Sequence, residues 1–192
     1  MLHNKYHEIL KQFLGDFNRQ IYGRDLIEKV KLSQKNIAMT LNELEKNNVL
    51  TSQKAGNMKY FSLNKENPLI ARYLMLAEID SSVEFLRNNP KINHIISTII
   101  KNQIIVVFGS YAKGLQKKGS DLDLLIIGNY DKKKIREIRE NYGIKISIKN
   151  TSKEGFIKSM KEKNMLMNEI LNDHIILSGY EEFVLEVIKQ KW

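Results

Sequence analysis

Residues 103–128, QIIVVFGSYAKGLQKKGSDLDLLIIG, constrain the fold more than any other stretch of the chain. A run of β-branched apolar residues, Ile104 to Val107, leads to a break at Phe108-Gly109-Ser110. A polar, glycine-containing segment follows, and a second apolar run, Leu124 to Ile127, starts directly behind Asp121 and Asp123. Runs of that length and composition predict two buried strands. Residues i and i+2 of a strand share a face, so Asp121 and Asp123 are expected to project side by side. Adjacent carboxylates repel unless a cation lies between them, and an all-oxygen pair suits Mg²⁺ (or Mn²⁺) shared with substrate phosphates. Glycine at the end of the first strand lets a phosphate approach the backbone, and Ser110 adds a hydroxyl and a helix-starting amide. Lys113 and Ser120, in the connecting segment, complete the candidate nucleotide-binding set.

Gly109-Ser110, then ten residues, then Asp121-Leu122-Asp123 resembles the signature of the polymerase-β-like nucleotidyltransferases, particularly the small minimal ones of archaea and bacteria. The resemblance covers about residues 85 to 192. It implies a small mixed sheet, with Asp121 and Asp123 as catalytic, metal-holding residues. It also implies a nucleoside triphosphate substrate, ATP first among them, and transfer of a nucleoside monophosphate to a protein or small-molecule acceptor. Minimal nucleotidyltransferases of toxin–antitoxin systems, similar in this core motif, adenylylate a partner toxin. Active members of the family usually carry a third carboxylate on the strand after the Asp-x-Asp strand, completing a site for two metals. The matching strand here is Ile144 to Lys149, and no acid occurs between Glu140 and Glu154. Ser147 is the expected occupant of the missing place, with Lys145 and Lys149 beside it as cations able to bind phosphate without a metal.

The first part of the chain reads differently. Tyr6, Ile9, Leu10, Phe13, Leu14 and Phe17 recur at helical spacing and predict an amphipathic helix over 3–17. Gly23 to Val30 predicts a second, short helix, and Leu32-Ser33 sets the N-cap of a third, with Ile37, Leu41 and Leu44 facing inward. Short strands Val49–Gln53 and Met58–Leu63 then flank a Lys54-Ala55-Gly56-Asn57 hairpin loop. Helices followed by a basic hairpin resemble a winged helix-turn-helix domain. That resemblance implies duplex DNA as a partner, with Ser33, Gln34, Lys35, Asn36 and Thr40 at base edges or phosphates and Lys54 and Lys59 at phosphates. The expected fold class is therefore α+β. A winged helix-turn-helix over 1–66 and a linker helix over 67–89 precede a small mixed-sheet nucleotidyltransferase domain over 90–192.

The linker helix, opened by Pro68, is apolar on several sides and is expected to pack on both domains or on a second copy of itself, as in a homodimer. Further helices are expected from Ile92 to Ile100, over 131–141, around Phe156–Met160, over Leu166–Leu171, and after Gly179. His174 to Leu177 reads as a short strand with His174 at its edge, and His94 reads as a surface residue. His3 and His7 share a helix face at i, i+4, a spacing adequate for metal but more often accidental at a terminus. The net charge of +9 invites a polyanionic partner without identifying one. With no cysteine, no apolar run of bilayer length and no signal-peptide core, the expected compartment is the cytoplasm, with no membrane partner. Three functions stay open: a nucleotidyl-transferring enzyme targeted by its winged helix, a DNA-binding regulator with a degenerate nucleotidyltransferase domain serving nucleotide sensing or dimerisation, and an enzyme modifying RNA ends.

Overall fold

A computed structural model describes residues 5–99, 101–162 and 164–191. His3, Ile100 and Trp192, which figure in the expectations above, lie outside the described residues. The chain divides into two compact units between Ala77 and Glu78. That point falls inside one helix, within the span expected to be a linker.

In the first unit, α1 (Lys5–Leu10) continues only as a 3-10 turn over Lys11–Phe13. The helix expected to reach residue 17 stops because Leu14 is extended and Gly15 takes a left-handed φ of 87°. Ile9, Leu10, Phe13 and Phe17 are nevertheless buried, with Tyr6 and Leu14 half-buried. The spacing recorded burial correctly and helix length incorrectly. The second expected helix is likewise reduced to a 3-10 turn, Gly23–Leu26, preceded by a two-residue strand β1 (Ile21–Tyr22). A strand that short shows no alternation for a sequence to display. α2 (Gln34–Lys46) begins where expected, with the Ser33 hydroxyl accepting a hydrogen bond from the Asn36 amide at 3.3 Å. β2 (Leu50–Ala55) and β3 (Met58–Leu63) form the hairpin, closed by Gly56 at φ 59°. The antiparallel sheet has the order β1-β3-β2, with Ile21 paired to Phe61. α3 (Ile70–Asn88) then carries the chain past the boundary.

The second unit is a mixed α+β layer structure. In chain order it contains α4 (Pro90–Ile99), β4 (Ile104–Phe108), α5 (Gly109–Ala112), β5 (Leu122–Ile127), α6 (Lys132–Tyr142) and β6 (Ile146–Thr151). It closes with α7 (Lys153–Lys161), α8 (Met165–Asn172), β7 (Ile175–Ser178) and α9 (Tyr180–Lys191). The sheet order is β6-β5-β4-β7; β4 runs antiparallel to both β5 and β7, and β5 runs parallel to β6. Leu122, Leu124, Ile126 and Ile146 join Ile95, Ile96 and Ile135 in one buried cluster, so alternate residues of β5 and β6 face α4 and α6. Asp123 and Ser147 belong to the opposite parity. β6 starts two residues later than expected, since Gly143 closes α6 in the left-handed conformation and the chain needs Ile144 and Lys145 to reach the sheet.

His174 departs from expectation. It stands one residue before β7, the edge strand of its sheet, but its side chain is buried, with Nε2 3.0 Å from Glu78 Oε1 and Nδ1 3.0 Å from the Leu171 carbonyl. The other Glu78 oxygen, Oε2, is buried with no hydrogen-bond partner among the described residues. Burial alone would lower the His174 pKa. The Glu78 charge, its hydrogen bond and the neighbouring carbonyls outweigh burial and hold the pKa above the ordinary 6.5. No helix among the described residues is long and apolar enough to cross a membrane.

Candidate functional site

Everything at the site hangs on the end of β4. Ile104 to Val107 are almost wholly buried, which fixes the strand in the middle of its sheet. After Phe108 the chain turns through Gly109 at φ 69°, a conformation that carries a Cβ penalty for any other residue. A Cβ at Gly109 would also stand 2.5 Å from Asp123 Oδ2. Glycine is thus required twice, for its backbone and for the carboxylate that fills the space beside it. Asp123 reaches that place because the antiparallel register pairs it with Phe108.

Asp123 is a half-buried residue of β5, whereas Asp121 is exposed and precedes the strand by one residue. The expectation that both project from a strand therefore holds for Asp123 alone. Neither carboxylate makes a hydrogen bond or ion pair among the described residues, and neither does the Ser110 hydroxyl. The carboxylate oxygens of Asp121 and Asp123 suit a hard divalent cation.

The parallel register pairs Asp123 with Ser147, so the residue expected in place of a third carboxylate is the direct cross-strand neighbour of Asp123. Lys145 and Lys149 are exposed on either side of it. Among the described residues no group of three or more histidine, cysteine, aspartate or glutamate side chains could hold a metal. Any ion here would rest on two carboxylates plus its substrate's oxygens.

Two other expected nucleotide ligands are engaged elsewhere. Lys113 Nζ lies 2.9 Å from Glu169 Oε1 on α8, and that bond, with the charges of Glu169 and Asp173, holds the lysine above its usual range. Ser120 accepts a hydrogen bond from the Lys117 amide at 2.9 Å and so closes the loop between α5 and β5. Glu169 had no signature in the sequence, because its relevance depends on a partner 56 positions away.

The residues expected to meet DNA in the first unit are also sorted by the structure. Gln34, Lys35 and Asn36 are exposed in the first turn of α2, and Ser33 is exposed while serving as the cap. Thr40 is a correction: it is fully buried, and its hydroxyl donates to the Asn36 carbonyl at 2.7 Å. It shares the inward face with Ile37 and Leu41, about two turns beyond the cap. Lys54 is exposed, with no hydrogen bond or ion pair among the described residues. Lys59 is half-buried over the Phe61 ring, its ammonium 2.6 Å from Glu45 Oε2. Glu45 is held below the usual carboxylate range by that lysine and by the Ser52 hydroxyl.

Residues 90–188 match a family model described as a nucleotidyltransferase domain. No curated protein matches the chain. A solved structure described as a crystal structure of a toxin-antitoxin with AMP-PNP aligns at 18% identity, covering 54% of this chain and 83% of that one. Its TM-score is 0.38, a likeness too slight to carry anything further.

Proposed function

The chain belongs to the nucleotidyltransferase domain family, and from that premise we propose that its second unit moves a nucleoside monophosphate from a metal-bound nucleoside triphosphate to a protein or small-molecule acceptor. ATP is the favoured donor. The observation that carries this reading is Gly109, whose left-handed backbone is locked against the Asp123 carboxylate. That contact joins the Gly-Ser turn and the Asp-x-Asp segment into one small patch of bare backbone, free hydroxyl and unpaired carboxylates. Asp121 and Asp123 would hold Mg²⁺ or Mn²⁺, and the bound ion would screen the triphosphate charge and polarise the reacting phosphoryl group. The chain's own residues bind and orient. The Gly109 backbone gives the phosphates close access, and the Ser110 hydroxyl donates to a phosphate oxygen. Lys113 adds a positive charge once its ammonium exchanges Glu169 for phosphate.

In the same reading the first unit is a winged helix-turn-helix that binds duplex DNA. Gln34, Lys35 and Asn36 are exposed at the leading turn of α2, the position from which a recognition helix reads the major groove. Lys54 is exposed on the hairpin, where a wing meets the phosphate backbone.

A second reading is favoured by one specific observation. Ser147 pairs with Asp123, and no residue of β6 is acidic. On that reading the protein is a DNA-binding regulator whose nucleotidyltransferase domain senses nucleotide or dimerises without turnover. Incubation with nucleoside triphosphates labelled at the α-phosphate, in lysate from the protein's own source with Mg²⁺ or Mn²⁺, separates the two. The enzyme reading expects label on an acceptor and more of it with Ser147→Asp, which supplies a further metal-binding carboxylate. No label from any of the four nucleotides, with either protein, favours the regulator.

A further inference from the structure

The helix α3 is apolar on two opposite faces. Ile70, Leu74, Ala77 and Phe85 are buried along one of them. The other carries Leu69, Leu76, Ile79 and Val83, which are 47%, 48%, 39% and 55% exposed. Leu69 precedes the helix by one residue, but its carbonyl already accepts from the Tyr73 amide at 3.1 Å, so it shares the helical phase. With exposed Arg72 and half-buried Leu86, these residues alternate three and four apart: 69, 72, 76, 79, 83, 86. Those are the a and d positions of a heptad pattern, a seam narrower than the stripe that faces a globular core. Single exposed apolar residues are ordinary, whereas a row of them at this period has the shape that one further helix fills.

The charges on this face say which helix. Arg72 stands in the seam near its start, and Asp80 and Glu84 flank the seam in its second half. A parallel pair of identical helices would bring Arg72 against Arg72, like charge on like. An antiparallel pair with its two-fold axis between Ala77 and Glu78 removes that conflict. It sets Leu76 against the second copy's Ile79 and Leu69 against the second copy's Leu86, each twice. It also sets Arg72 against the second copy's Val83, with the guanidinium beside the second copy's Asp80 and Glu84. The face is therefore complementary to itself in both shape and charge when one copy is reversed. We propose that α3 is the dimerisation element of this chain, paired antiparallel with α3 of a second copy across an isologous interface. The seam runs from Leu69 to Leu86, about 27 Å of helix, which is short for a standard protein interface. The dimer is accordingly a reversible one, with dissociation in the micromolar range.

Sedimentation equilibrium of the full chain should show monomer and dimer exchanging at micromolar concentration. Leu76→Glu with Val83→Glu places charges in the seam at positions already exposed in the monomer. That variant should keep its urea midpoint and raise the dimer dissociation constant roughly tenfold or more. Orientation is read with a short bismaleimide, because the chain has no cysteine of its own. Leu69→Cys and Leu86→Cys chains should cross-link when mixed, and neither should cross-link alone, since identical positions at the two ends lie about 25 Å apart in an antiparallel pair. If the two glutamates lower the urea midpoint, the cross-linking pattern alone decides. A chain that stays monomeric at every concentration overturns the proposal and leaves this face to a different protein. A dimer that tolerates both glutamates in a folded chain overturns it too, as does cross-linking of Leu69→Cys chains alone, the signature of a parallel pair.

Discussion

At the scale of single residues, the site depends on what a glycine leaves empty. Gly109→Ala places a methyl group 2.5 Å from Asp123 Oδ2 at a φ of 69°. The left-handed conformation alone costs about 1–2 kcal/mol, and the clash is relieved only by moving Asp123. The variant should stay folded with a lowered midpoint in urea and should lose metal-dependent nucleotide affinity out of proportion to that change. Equal nucleotide affinity in the two proteins would mean that the Gly109–Asp123 contact does not shape the site. This contact was half legible in the sequence: the motif spacing named both residues, while the positive φ and the carboxylate in the Cβ position came from the strand register. Thr40 shows the reverse error. Its place near the start of a presumed recognition helix suggested exposure, yet its phase matches Ile37, Leu41 and Leu44, the buried stripe of α2.

At the scale of elements, α3, the turn before β7, and α9 meet around His174. Both ring nitrogens face acceptors, and the ring lies 5.1 Å from that of Phe183 on α9. The arrangement is satisfied only when the imidazole is protonated. Because its folded pKa is raised above 6.5, the pair stabilises fully below that pH and loses its contribution as pH rises through the folded value. Urea unfolding of the wild type should therefore show stability falling as the pH rises above the ordinary histidine value of 6.5. His174→Leu, which leaves Glu78 buried without a partner, should cost about 3–5 kcal/mol, and Glu78→Leu with His174→Leu should recover most of that and flatten the pH slope. An unchanged slope in the double variant contradicts this assignment. Nothing in the sequence pointed to the pair, since Glu78 and His174 stand 96 positions apart and His174 reads only as a strand-edge residue. The helices and strands of this unit were mostly legible because their apolar periodicities are long. The 3-10 turns and β1 were not, because they are shorter than the periods that would reveal them.

At the scale of the whole molecule, the chain is two compact units, and the division between them could not be placed from sequence. The periodicity of α3 runs through it unbroken, so composition marked only the approximate linker. If the first unit binds duplex DNA, the affinity of the full chain should fall steeply with salt. The expected slope is roughly 0.9 log unit per log unit of salt for each phosphate contacted. Lys54→Glu should weaken binding to all sequences, whereas Asn36→Ala should alter the preference among them. Salt-independent binding, checked by anisotropy with a genomic fragment pool, contradicts the assignment. The central claim concerns the other unit, and calorimetry of ATP binding with and without Mg²⁺ tests it most directly. The wild type should bind ATP with Mg²⁺ and weakly or not at all without it, and Asp121→Asn with Asp123→Asn should abolish the metal-dependent part while the protein stays folded. Binding of equal strength with and without Mg²⁺, or metal-dependent binding that survives the loss of both carboxylates, would contradict the account.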